Sequence, residues 1–146
     1  MTNATKNYLI ERGIKPSLQR IAIMDYLLKN RTHPSADDIY QALCDSIPTL
    51  SKTTVYNTLK LFTQQGAALS LEIDEKNIRY DGDTSVHAHF RCKCCSSIID
   101  LPVDQVNTVD PKFLEGFVIT EISAFYKGLC DTCNQEGSLM QNKSIN

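Results

Sequence analysis

The segment FRCKCCSSIID, residues 90–100, puts Cys92, Cys94 and Cys95 within four positions, and GLCDTC puts Cys130 and Cys133 near the other end of the chain. Only Cys92 and Cys95 reproduce the Cys-x-x-Cys spacing of the second pair. Four thiolates in two such knuckles complete a tetrahedral zinc shell with no open position, which makes a structural site and not a catalytic one. Thirty-four residues separate Cys95 from Cys130, so a small substructure must fold between the knuckles and return. The competing chemistry is a redox dithiol, in a zinc-stapled thiol redox protein. Cys94 sits where strand alternation points it away from the ligands, and Cys44 is expected to be a small buried apolar residue.

The chain has three histidines. His87 and His89 form His-x-His, which sets both rings on one face of a strand. Asp81 precedes them, Asp100 follows the first knuckle, and His33 lies far away in sequence. A lone histidine is usually structural or solvated. Three imidazoles and two carboxylates nevertheless can make a five-coordinate N/O site, which suits Fe2+ or Mn2+ better than a thiolate-preferring metal.

What must position these groups is a chain of 146 residues with 42% hydrophobic content, one domain of usual size or two small ones. No apolar run approaches a membrane span, and the start MTNATKNYLIERGIK has no apolar signal region, so the expected compartment is the cytoplasm. Unsecreted paired Cys-x-x-Cys points to metal more than to disulfides. The net charge of −2 hides an asymmetry: residues 1–65 hold eight Lys/Arg against five Asp/Glu, and residues 66–146 seven against twelve. A basic first half and an acidic second half fit a DNA-contacting module joined to a cation-binding one.

The first 65 residues read as four helices. NATKNYLIERG stops at Gly13. KPSLQRIAIMDYLLKN is capped by Ser17 and buries Ile23, Met24, Leu27 and Leu28. HPSADDIYQALC carries a capping box of Ser35 and Asp38, with Ile39, Ala42 and Leu43 as its apolar edge. TLSKTTVYNTLKLFTQQG is capped by Ser51 and stopped by Gly66. AALSLEI and NIRYDG, joined by DEK, then read as a two-stranded hairpin. That order is a winged helix-turn-helix.

On the fourth helix Val55, Leu59 and Phe62 form the core face. The opposite face carries Thr53, Tyr56, Asn57, Lys60 and Gln64, with Lys52 near the start. Hydroxyl, amide and amine groups can reach phosphates and base edges, and no acid on this face repels them. Lys52, Thr53, Tyr56, Asn57 and Lys60 are the candidate DNA contacts. Beyond the hairpin, VHAHFRC and SIIDL read as strands, VDQVNTVDPKFL as a weak helix and GFVITEISAFYKG as a long strand. The polar end from NQEGSLMQNKSIN onward is expected to be disordered.

HPSADDIYQAL, SKTTVYNTLKLF, IRYDGD, HAHFRCKCC, IIDL and GLCDTC occur in the order and spacing of the ferric uptake regulator (Fur) family, which the chain resembles over residues 8–135. The resemblance implies an α+β fold: a winged helix-turn-helix domain over 1–82, a hinge near 80–86, and a small α/β dimerisation domain over 87–135 with a four-cysteine structural zinc, ahead of a tail at 136–146. It implies zinc on Cys92, Cys95, Cys130 and Cys133, and a regulatory Fe2+ or Mn2+ on His33, Asp81, His87, His89 and Asp100. Iron-sensing members typically have Glu at the positions of Asp81 and Asp100 and Arg at that of Asn57; the peroxide-responsive branch has Asp at both, and Asn57 also looks like that branch. The implied protein is therefore a homodimeric repressor of a double-stranded DNA operator, sensing peroxide through iron-catalysed oxidation of regulatory histidines. An iron- or manganese-responsive repressor is the alternative. No catalytic residue, small-molecule substrate or membrane enters this reading.

Overall fold

A single serine starts each of three helices in the N-terminal half of the protein. The computed structural model describes residues 3–85, 87–102, 109–120 and 122–141. Helix α1 spans Asn3–Glu11, α2 Leu18–Lys29, α3 Ala36–Leu43 and α4 Lys52–Gln64. Ser17 accepts the Arg20 N–H at 3.2 Å and Ser51 accepts the Thr54 N–H at 3.1 Å. Ser35 accepts the Asp38 N–H at 3.2 Å while the Asp38 carboxylate accepts the Ser35 N–H at 3.0 Å, a complete capping box. Each such cap stabilises its helix by about 1 kcal/mol. Helix α4 ends at Gly66, whose φ of 72° permits the paired bonds Ala67 N–H to Phe62 O and Gly66 N–H to Thr63 O. Gly13 closes α1 in the same way.

The chain divides into two compact units, one ending at Thr84 and one beginning at Ser85. In the first, Leu9, Ile23, Met24, Leu27, Ile39, Val55, Leu59 and Phe62 form one buried core. Leu28 is partly buried against that core, and Ala42 is exposed, so α3 presents a narrower apolar edge than its sequence suggests. Strands β1 (Leu69–Leu71) and β2 (Arg79–Asp81) pair antiparallel, with Leu69 opposite Asp81. The turn between them is longer than DEK. Asp74 draws in the Arg79 side chain and the Lys76 N–H, so residues 72–78 leave the ladder. At the end of β2 a Cβ on Gly82 would stand 2.9 Å from the Leu27 carbonyl oxygen, so only glycine lets the strand approach α2 so closely.

The second unit is a mixed sheet ordered β4-β3-β5, from β3 (Ala88–Cys92), β4 (Ile98–Leu101) and β5 (Phe125–Gly128). β3 pairs antiparallel with β4 and parallel with β5. Of the long strand expected over 116–128, residue 121 lies outside the described residues, and among the described ones the strand is the four residues of β5, which pair with β3 from His89↔Phe125 to Cys92↔Gly128. The expected helix over 103–114 is a single 3-10 turn at Pro111–Leu114, with 103–108 outside the described residues. Helix α5 (Asp131–Gln141) extends into the segment read as a disordered tail, while 142–146 lie outside the described residues. Asp131 in its first turn complements the helix dipole.

Candidate metal centres

The parallel pairing of β3 with β5 sets the two cysteine knuckles side by side. Cys92 ends β3 opposite Gly128, and the Lys93 N–H donates to the Gly128 carbonyl at 2.7 Å. The first knuckle is the tight turn from β3 to β4, closed by Ser96 N–H to Cys92 O at 3.0 Å. The second opens α5, where Asn134 N–H donates to Cys130 O at 2.8 Å. As a result the sulfurs of Cys92, Cys95, Cys130 and Cys133 all lie within 4.8 Å of one another, with Cys95 and Cys130 3.9 Å apart. Zinc–sulfur bonds of about 2.3 Å place tetrahedral sulfurs about 3.8 Å apart. The four thiols fit that shell.

Backbone amides prepare the cage for negative charge. The N–H groups of Cys130, Cys94 and Cys95 point at the Cys92 sulfur at 3.4 to 3.5 Å. Led by the Cys130 amide, they lower the Cys92 thiol to about 6. The Ser97 hydroxyl, 3.0 Å from the Cys95 sulfur, lowers that thiol too. Cys133 is pushed up, first by its neighbour Cys130. Such crowding of thiolates calls for a cation at the centre. Cys94 contributes its amide and turns its side chain to solvent. Cys44 is not buried as expected: it sits half-exposed at the end of α3, its sulfur 3.6 Å from Gln41 O.

The histidines and carboxylates form one pair in the first unit and one trio in the second. In the first, His33 Nε2 lies 3.4 Å from Asp81 Oδ2, both side chains buried. His33 has φ of 53°, a left-handed conformation uncommon for an L residue. In the second unit, Asp100 stands opposite His89 in the β3–β4 ladder. Its Oδ1 is 3.3 Å from His89 Nε2 and 3.4 Å from His87 Nε2. His87 precedes the strand, yet its ring centroid is 4.3 Å from that of His89, and its Nδ1 is 2.7 Å from Ser85 O. Ligand bonds of about 2.0–2.2 Å separate neighbouring donors by about 3.0–3.7 Å, so these spacings suit a divalent ion.

On α4, Lys52, Thr53, Tyr56, Asn57, Lys60 and Gln64 are exposed, while Val55, Leu59 and Phe62 are fully buried. Beside this face lies a groove of about 660 Å³ whose lining includes Lys15, Arg20, Thr54 and Asn57. The two basic residues come from the start of α2 and the loop before it, and no spacing rule relates them to α4. Ser97, Ser85 and the Arg79–Asp74 pair likewise carry no sequence signature.

The profile of the ferric uptake regulator family matches residues 11–125. The chain belongs to the ferric uptake regulator family. Among curated Fur-family proteins, it is 34% identical over 132 residues to the peroxide-responsive repressor PerR of Staphylococcus epidermidis, covering 89% of this chain and 88% of that one. The structure of the ferric uptake regulator from Francisella tularensis, solved with iron, superposes with a TM-score of 0.68 at 25% identity, over 84% of this chain and 96% of the other. PerR from Streptococcus pyogenes superposes with a TM-score of 0.50 at 31% identity, over 90% and 94%. The α+β fold read from the sequence, four helices and a two-stranded wing ahead of a small sheet module, is the fold of this Fur-family chain.

Proposed function

We propose that this Fur-family chain is a homodimeric, metal-dependent repressor of the peroxide-responsive branch. In this reading Cys92, Cys95, Cys130 and Cys133 hold a structural Zn2+. His33, Asp81, His87, His89 and Asp100 hold one regulatory Fe2+ or Mn2+. Lys52, Thr53, Tyr56, Asn57 and Lys60 of α4 contact operator DNA. The observation that carries the reading is the segregation of donors: four thiols in a closed set, and imidazoles paired with Asp81 and Asp100. Aspartate at both positions, Asn57, and relatives named as peroxide-responsive repressors support the branch.

Homodimer formation draws support from the second unit, where Phe113, Phe117, Val118, Ile122 and Tyr126 expose apolar surface. No helix among the described residues is long and apolar enough to cross a membrane. A cytoplasmic, non-enzymatic role accords with the family.

The regulatory ligands divide between the units, His33 and Asp81 in one, His87, His89 and Asp100 in the other. Shared ligation restricts how the units can move. The dimer is thereby favoured in the arrangement that presents two α4 helices to successive major-groove turns, about 34 Å apart. Metal and operator then strengthen each other's binding. Bound Fe2+ supplies one-electron chemistry with peroxide that bound Mn2+ does not. Oxidation of the His33 or His87 ring withdraws a donor and releases the DNA.

The test is operator binding, on a fragment recovered by selection, with Fe2+ or Mn2+ before and after low peroxide. Peroxide is expected to release only the Fe2+ form. Equal retention by both forms favours the iron- or manganese-responsive alternative, and operator binding of full strength without either metal excludes metal control.

A further inference from the structure

Arg79 reaches in two directions from β2. Its Nε and Nη2 donate to Asp74 Oδ2 at 3.0 and 2.9 Å, and its Nη1 donates to the His33 carbonyl at 3.2 Å. The pair is shielded from water, with the Asp74 side chain 7% exposed and that of Arg79 21%. The other Asp74 oxygen accepts the Lys76 N–H at 2.9 Å, which shapes the loop of the wing. Backbone bonds close the same junction: Tyr80 N–H donates to Pro34 O at 2.9 Å, and Ser35 bridges to Arg79.

Two consequences meet at this one guanidinium. On one side, the left-handed backbone of His33 persists only where its surroundings hold it, and the bond to the His33 carbonyl is such a restraint. On the other, the loop anchored by Asp74 carries Lys76, Asn77 and Ile78, which share a cleft of about 190 Å³ with Tyr56 of α4 and with Tyr80. The loop therefore borders the candidate DNA face. A charge-assisted fork to a carboxylate is directional, and lysine cannot reproduce it while also reaching a second acceptor.

We propose that Arg79 is a positioning residue that couples the regulatory site to the wing, holding the His33 backbone and the wing loop through the same contact. The inference rests on His33 being a regulatory ligand. Metal binding at His33 and the placement of the wing on DNA then favour one arrangement of this junction, and the coupling acts equally in both directions. Loss of an Arg79–Asp74 pair that merely stabilised the hairpin would lower the melting temperature and leave the metal-dependent gain in operator affinity untouched.

The experiment measures Mn2+ affinity without DNA, and operator affinity with and without Mn2+, in the full zinc-loaded dimer. Arg79→Lys is expected to weaken Mn2+ binding by about tenfold and to shrink the Mn2+-dependent gain in operator affinity by a similar factor, at unchanged zinc content. A folded Arg79→Lys variant with the wild-type gain overturns the proposal, whatever its melting temperature. Should Arg79→Lys fail to fold, Asp74→Asn is expected to show a smaller loss in the same two quantities, and wild-type values there overturn it equally. His33→Ala separates the two readings. If it loses the Mn2+ response while Arg79→Lys keeps it, the coupling alone falls. If His33→Ala keeps the response, the ligand assignment falls and the coupling with it.

Discussion

Asp100 faces His89 across the β3–β4 ladder, and one of its oxygens lies within 3.4 Å of both His89 Nε2 and His87 Nε2. A single carboxylate oxygen shared by two imidazoles is a geometry that a divalent cation completes. The strand register produces it: alternation puts both rings on one face, and antiparallel pairing brings the acid opposite. Removing that acid leaves two rings without the carboxylate that completes the donor set.

Asp100→Ala is accordingly expected to weaken regulatory Mn2+ binding by well over about tenfold while leaving zinc content unchanged. Titration followed by electron paramagnetic resonance measures the first, and elemental analysis the second. Wild-type Mn2+ affinity in this variant would move the regulatory site elsewhere.

The knuckle assignment separates Cys94 from its neighbours. Cys92→Ser and Cys130→Ser are expected to lose the zinc and the dimer together, because metal binding contributes folding free energy to the module. Cys94→Ser and Cys44→Ser should keep one zinc per chain, since both sulfurs lie outside the cage. Zinc loss in Cys94→Ser with retention in Cys92→Ser would reverse the assignment.

The amide cage also has a pH signature. The folded Cys92 thiol is lowered from 9.0 to about 6, so its thiolate stabilises the folded zinc-free module fully above pH 9. That contribution is lost progressively as pH falls from 9 through 6. Thiolate absorbance of zinc-free protein should therefore show a first step near pH 6 that is missing in Cys92→Ser. A first step near 9 would mean that the cage does not persist without metal.

Much of this organisation was legible because single residues mark it. Ser17, Ser35 and Ser51 each announce a helix start by a side chain that satisfies a specific amide. Matched spacing separated Cys92 and Cys95 from Cys94. The stretch 116–128 misled because apolar residues such as Phe117 and Ile119 read alike whether they pair in a sheet or face outward, and here they are exposed. The Arg79–Asp74 pair was invisible for another reason. Its effect comes from where the hairpin turns, and turn geometry is decided by the very contact in question.

For DNA, the exposed face of α4 distinguishes two kinds of contact. Tyr56→Ala or Asn57→Ala should cost about 1–3 kcal/mol on operator and relax sequence preference. Lys60→Ala should weaken binding evenly across sequences and reduce the salt slope by about one. Fluorescence anisotropy on operator and scrambled duplexes at several salt concentrations reads both effects. Wild-type binding in all three variants would point to a different surface.

The peroxide reading finally depends on where oxygen lands. Brief peroxide on the Fe2+ form should add about one oxygen mass to a peptide holding His33 or to one holding His87 and His89, and leave the Mn2+ form unmodified. Cysteine is the competing target, since oxidation there follows thiolate exposure. Cys94, exposed and outside the cage, is where such a mark should appear first, and the four caged sulfurs should be protected while zinc is bound. Oxidation at Cys94 alone should leave operator binding intact, because its exposed sulfur is not one of the four clustered thiols. Mass spectrometry of the digested protein, paired with operator binding on the same sample, orders these events. If DNA release tracks a disulfide among Cys92, Cys95, Cys130 and Cys133 with zinc loss, while the histidines stay unmodified, the zinc site is the sensor. If release tracks histidine oxidation at full zinc content, the imidazoles of the regulatory site are the sensing groups.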